Sequence, residues 1–121
     1  MAWTVSLHDA FDAEFDALAE PVRDGLLTMM ILLRLNGPQL GRPHADTLSG
    51  SRHANLKELR FKADNGVWRV AYAFDPERQA ILLVAGDKAG VAQRRFYKRL
   101  VATAERRMDE HLAILAAKKE I

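Results

Sequence analysis

Between Leu56 and Lys98 the chain sets cations at intervals: Lys57, Arg60 and Lys62, then Arg69, then Lys88, then Arg94, Arg95 and Lys98. Such a set suits a phosphodiester. Cleaving RNA through its own 2′-hydroxyl needs a base for that hydroxyl, an acid for the departing 5′-oxygen, and positive charge around the phosphate. An arginine fork can hold two phosphate oxygens at once, a role that falls to Arg69 with Arg60 alongside. Lys88 and Lys57 are candidates for transition-state stabilisation or proton transfer, since neighbouring cations lower a lysine pKa. Tyr97 is a candidate acid or base, or a platform for an RNA base. It also lies on an apolar helical stripe, where core packing competes. Lys62, Arg94, Arg95 and Lys98 are candidate substrate-binding residues.

Strand parity is what would bring these groups together. From Leu56 the apolar period is two, with Leu59 and Phe61 on one face and Glu58 and Arg60 on the other. Asp64-Asn65-Gly66 is a tight hairpin signal. On the returning strand Trp68, Val70, Tyr72 and Phe74 form a large apolar face, so Arg69 points the other way, beside the small Ala71 and Ala73. Two guanidinium groups are therefore expected on one open sheet face, and loss of Arg69 is expected to leave the fold intact. Glu58 shares that face and could simply pair with Arg60. Lys57 has core parity but begins its strand, which leaves its direction open. Ala80 to Ala85 reads as a central strand, and Gly86-Asp87-Lys88-Ala89-Gly90 as a turn that brings Lys88 over the surface.

The flanking segments complete the order β-α-α-β-β-β-α. Trp3 to Leu7 alternates as a short strand, and Asp9 is expected to cap a helix bearing Phe11, Phe15 and Leu18. Pro21 opens a second helix, Val22 to Leu35, that Gly37 and Pro38 end. It is apolar around most of its girth, which implies packing on the sheet and partial cover by its neighbour. Residues 37–55 show no period and read as a long functional or mobile loop. The last helix is expected from about Val91 to Lys118, roughly 40 Å long at about 1.5 Å per residue. That outruns a small sheet, leaving a tail around Leu112, Ile114 and Leu115 for a partner chain.

Composition narrows the classes. The 121 residues suit one domain, residues 1–121, of α+β type. Cysteine is absent, no metal-ligand spacing is present, and no cofactor is expected. Neither a signal peptide nor a membrane span is visible, so a cytoplasmic location is expected. Nothing brings His44 and His53 together as the acid–base pair of a conventional ribonuclease. All 18 lysines and arginines lie beyond residue 20, whereas Asp9, Asp12, Glu14, Asp16 and Glu20 lie within it. A basic body with an acidic first helix points to a polyanion met by one face.

Leu-Lys-Glu-Leu-Arg-Phe (56–61), Trp-Arg-Val-Ala-Tyr-Ala-Phe (68–74), Gly-Asp-Lys-Ala-Gly (86–90) and Phe96-Tyr97 occur in an order that resembles the RelE/ParE superfamily of bacterial toxins, most closely its phage-derived HigB-like branch. The resemblance implies a RelE-like fold, a small mainly antiparallel sheet packed on two N-terminal helices and a long C-terminal one. It also implies a type II toxin that cleaves translated mRNA on the ribosome and is neutralised by a cognate antitoxin, often a helix-turn-helix DNA-binding protein. Where relatives place a particular aromatic or histidine for proton transfer, Phe96, Tyr97 and His111 compete. Two other functions stay open: a ParE-like toxin that binds gyrase, and a non-catalytic nucleic-acid-binding module or decayed toxin.

Overall fold

A computed structural model describes residues 2–120. Its elements are β1 (Thr4–Leu7), α1 (Asp9–Asp16), α2 (Glu20–Asn36), a 3₁₀ turn (Gly37–Gln39), β2 (Ala45–Thr47), β3 (Lys57–Ala63), β4 (Gly66–Phe74), β5 (Gln79–Asp87) and α3 (Gln93–Lys119). The strands form one sheet in the order β1-β5-β4-β3-β2, antiparallel except where β1 runs parallel to β5. The expected order holds, with β2 as a short addition inside the stretch read as loop.

The sheet is covered on both faces. Leu59, Val70, Tyr72, Ala80 and Leu82 pack under α1 and α2 with Phe11, Leu26, Met29 and Leu33. Ala71, Ala73, Ile81 and Leu83 pack under α3 with Phe96, Leu100, Ala104 and Met108. The two sets alternate along β4 and β5, as the pleat requires. Leu83 is the extra residue of a bulge opposite Ala71 and Tyr72, so it and Val84 both turn toward α3.

Local chemistry accounts for the ends. The cap of α1 is His8, whose Nδ1 accepts the Ala10 N–H, and Asp9 is instead a first-turn acid. Gly37 ends α2 at φ +56°, and a Cβ there would meet the Trp3 indole at once. Asp64 and Asn65 take positive φ at the β3–β4 turn, as read.

Three expectations are corrected. α2 is not covered by its neighbour on its far side: Leu27, Ile31 and Leu35 are exposed at four-residue spacing. The tail of α3 is only partly free: it runs on past β5 to the edge strand, where Leu115 is buried and lines a depression with Leu7 and Ile81, while Ile114 stays exposed. The loop is fastened rather than loose: Glu105 accepts the Arg52 N–H, while Asp109 holds the Arg52 guanidinium and the His53 ring.

Arg107 joins the two helical layers. From α3 it donates to the Leu83 carbonyl at 2.8 Å and to both oxygens of Glu14 on α1, at 2.8 and 2.6 Å. β1 stops pairing at Leu82, so this guanidinium supplies a donor where the sheet edge lacks one. The salt bridge holds Glu14 below the ordinary value of 4.5, against some desolvation. A lowered carboxylate contributes stability above 4.5 that is lost as pH falls through the folded value. Arg107→Met is expected to lower the unfolding free energy by about 2–3 kcal/mol in urea denaturation. Glu14→Gln is expected to remove part of the wild type's acid destabilisation below pH 4.5.

Candidate active site

The β3–β4 hairpin builds the site. Its register sets Arg60 opposite Arg69 and Glu58 opposite Ala71, so all three charged side chains share the α3 face. Two guanidinium groups directly opposite repel unless a counter-charge lies between them. Glu58 supplies it, with Oε1 3.9 Å from Arg69 Nε and Oε2 3.9 Å from Arg60 Nε.

That face is not open, and this is the main correction. α3 lies across it, leaving Arg69 only 6% and Glu58 only 5% exposed. Ala71 and Ala73 are small because the helix sits on them. Arg69 donates from Nε to the Tyr97 hydroxyl at 3.3 Å and from Nη1 to the Trp68 carbonyl at 2.9 Å. Removing Arg69 would strip a buried carboxylate of its nearest buried cation, so the fold would not be indifferent to its loss.

Tyr97 serves both readings. Its ring packs edge-on against Phe96, with centroids 5.1 Å apart, while its hydroxyl reaches the charged cluster. Lys88 Nζ stands 5.9 Å from the Tyr97 ring centroid. Asp87 fixes the turn that carries Lys88, accepting the Val67 and Ala89 N–H groups at 2.9 Å each. Burial and then the Arg69 and Arg60 charges push Lys88 below its ordinary value. Burial pushes Glu58 up, opposed by the Tyr97 hydroxyl and by the charges of Arg69 and Arg60. Tyr97 is also raised, by burial first.

These groups meet in an open cleft of about 1020 Å³ between α3 and the loop after β2, with Glu58, Arg60, Lys88, Tyr97, Arg94 and Lys98 in its lining. Beyond Arg60, Lys62 and Arg69 line a smaller depression of about 360 Å³ with Arg42. Lys57 is not brought in: it pairs with Tyr72, and its parity sends it toward the α1–α2 side. Arg95 is exposed and lines neither hollow. His44 is exposed, and the His53 ring is held by Asp109 outside the cleft lining.

Two contributors escaped the sequence reading. Glu58 was visible only as a partner for Arg60, although its parity already placed it with both arginines. Asp46 on β2 accepts from Arg42 Nε at 3.0 Å and lies 3.8 Å from Arg60, and Arg42 holds its carboxyl below the ordinary range. A three-residue strand gives no periodic signal that would have announced it. Among the described residues no group of three or more His, Asp and Glu side chains could hold a metal ion. No helix there is long and apolar enough to cross a membrane.

The pattern of the family described as "Phage derived protein Gp49-like (DUF891)" matches residues 13–109. The chain belongs to this family. Among curated relatives, a Mycobacterium tuberculosis protein named "Putative toxin HigB2" is 37% identical over 93% of this chain, and one named "Putative toxin HigB3" is 46% identical over 68%. The chain spans 56% of the first relative's length and 69% of the second's. A free-state mutant of the E. coli toxin RelE superposes with a TM-score of 0.59 at 14% identity, covering 84% of this chain and 96% of that one. The Gp49-like chain thus has the RelE-like fold, and the resemblance to the phage-derived, HigB-like branch is borne out.

Arg69→Met is expected to cost about 2–4 kcal/mol of stability by leaving Glu58 buried without its cation. The Arg69→Met/Glu58→Leu double variant should recover at least half of that loss. A double-mutant cycle in urea would measure the coupling.

Proposed function

We propose that this chain is the toxin of a type II toxin–antitoxin pair, a metal-independent endoribonuclease that cuts translated mRNA on the ribosome in the cytoplasm. Residues 1–121 act as one domain, restrained by a cognate antitoxin of helix-turn-helix type. The supporting observation is the cleft itself. A buried carboxylate, a tyrosine hydroxyl and a depressed lysine stand together, ringed by Arg60, Arg94 and Lys98.

In this reading the mRNA backbone enters along the cationic rim and one phosphate settles by Arg60, with Arg69 behind it. The 2′-oxygen attacks phosphorus and the P–O5′ bond breaks, leaving a 2′,3′-cyclic phosphate and a 5′-hydroxyl. Arg60 and Arg69 offset the charge growing on the phosphoryl oxygens. Lys88, as an ammonium with a lowered pKa, gives its proton to the departing 5′-oxygen. Tyr97 orders Arg69 and offers its ring edge to a base. No histidine lines the cleft, so no imidazole is at hand there for the proton transfers. That favours a substrate held in reactive geometry by the ribosome.

The test is induction in a bacterium lacking the antitoxin, with transcriptome-wide mapping of new mRNA 5′ ends. In-frame cuts confined to translated regions are expected. Lys88→Ala and Arg60→Ala, both at the cleft surface, should each reduce cutting about 10²-fold. Growth arrest with intact mRNA and a DNA-damage response would instead establish a gyrase poison. RNA binding without cuts or arrest would establish a non-catalytic module.

A further inference from the structure

Glu58 Oε1 is a buried oxygen without a hydrogen-bond partner, in a carboxylate whose side chain is 7% exposed and which lines the cleft. Such atoms are rare, because a buried hydrogen bond left unmade is costly. Arg69, Arg60 and the Tyr97 hydroxyl all lie close to this carboxylate and favour its ionised form, yet none completes a hydrogen bond to Oε1. Arg69 Nε stops 3.9 Å away and donates to Tyr97, and its Nη1 donates to Trp68. Arg60 is shared with Asp46, 3.8 Å from its Nη1. A carboxylate retained for stability would be closed into bidentate contact, as Glu14 is by Arg107. Tyr72 Oη also lacks a partner, but it is wholly buried in the apolar core under α2 and does not line the cleft.

The arrangement around Glu58 has the properties of a base site. The flanking guanidinium charges favour the carboxylate form against the pull of burial, and their distance leaves Oε1 without a bonded partner. The same two cations mark where a phosphate would sit, beside the oxygen that must give up a proton. We propose that Glu58 is the catalytic base, its carboxylate taking the proton of the substrate 2′-hydroxyl. That oxygen then bonds to phosphorus, the P–O5′ bond breaks, and Lys88 protonates the 5′-oxygen. One proton enters at Glu58 and one leaves Lys88, so the step balances. This role rests on the nuclease reading above and gives Lys88 to the acid side alone.

A base must be ionised to act, so cleavage is expected to rise with pH through a Glu58 value lifted above 4.5 by burial. The experiment is single-turnover cleavage of a defined mRNA on programmed ribosomes from about pH 5 to 9, for wild type, Glu58→Gln and Glu58→Asp. Melting temperature and ribosome binding are measured alongside. Glu58→Gln should fold with a lowered melting temperature, because Arg60 and Arg69 lose the charge between them, yet still bind ribosomes, cut about 10²–10⁴-fold more slowly, and lose the acid limb. Glu58→Asp should keep part of the rate. Wild type should not cut mRNA carrying a 2′-deoxy nucleotide at the cleavage position.

A folded Glu58→Gln within about threefold of wild type, with the same acid limb, would overturn the base role and leave the nuclease standing. Cutting at the 2′-deoxy position would do the same. A wild type inert on every programmed ribosome would overturn both. If Glu58→Gln does not fold, the wild-type acid limb and the 2′-deoxy result decide, and absence of that limb counts against Glu58.

Discussion

The close seat of α3 on the sheet is the constraint from which the rest follows. A helix that long lies flat on β4 and β5 only where the sheet offers small side chains. Ala71 and Ala73 are wholly buried beneath it, and a Cβ at Gly86 would stand 2.9 Å from the Phe96 ring. Gly86 is paired with Arg69, so the tightest contact lies beside the most buried cation. The start of α3 therefore decides which charged residues are sealed in and which look into solvent. Arg69 and Glu58 fall under its first turns. Arg60 and Lys88 fall at the margin, and the cleft begins there.

Register is the second condition. Side chains in a strand alternate, so a one-residue slip of β3 against β4 would turn Glu58 and Arg60 away from Arg69 and toward the core beneath α2. Asp64 and Asn65 prevent this by taking the positive φ angles that fix a two-residue turn. Leu83 imposes a second lock, because its bulge shifts β5 by one residue against β4. Residues far from the cleft thus hold the spacing of its charges. The same holds for Asp87, whose two backbone bonds set where Lys88 can reach.

Much of this was legible in the sequence, and the failures have physical causes. Parity placed Arg60, Arg69 and Glu58 on one face and kept Tyr72 in the core, because the period of two needs no tertiary information. What covers a face is a different matter. The small Ala71 and Ala73 fit equally well beside an open cationic surface and beneath a helix, and only the path of α3 separates the two. The same path explains the tail: Leu115 is buried because α3 runs on past β5 to the edge strand, a topology that periodicity does not encode. β2 is held by its pairing to β3 rather than by its own three residues. Lys57 had parity against it from the start, and the structure follows parity.

Two arginines, nearly equal in burial, show how the fold separates support from chemistry. Arg107 is 8% exposed and Arg69 is 6%. Arg107 closes a bidentate pair with Glu14 and caps a loose carbonyl, spending its donors at 2.6 to 2.8 Å. Such a group already holds its partners at full hydrogen-bond contact. Arg69 faces its carboxylate across 3.9 Å and gives its Nε to a tyrosine at 3.3 Å. An unfinished ion pair costs stability at neutral pH, and burial has already raised Glu58 against it. A site with spare donors, a spare acceptor and a neighbouring cleft is poised to gain from a ligand that supplies both a hydroxyl and a phosphate. Each RNA nucleotide supplies the pair.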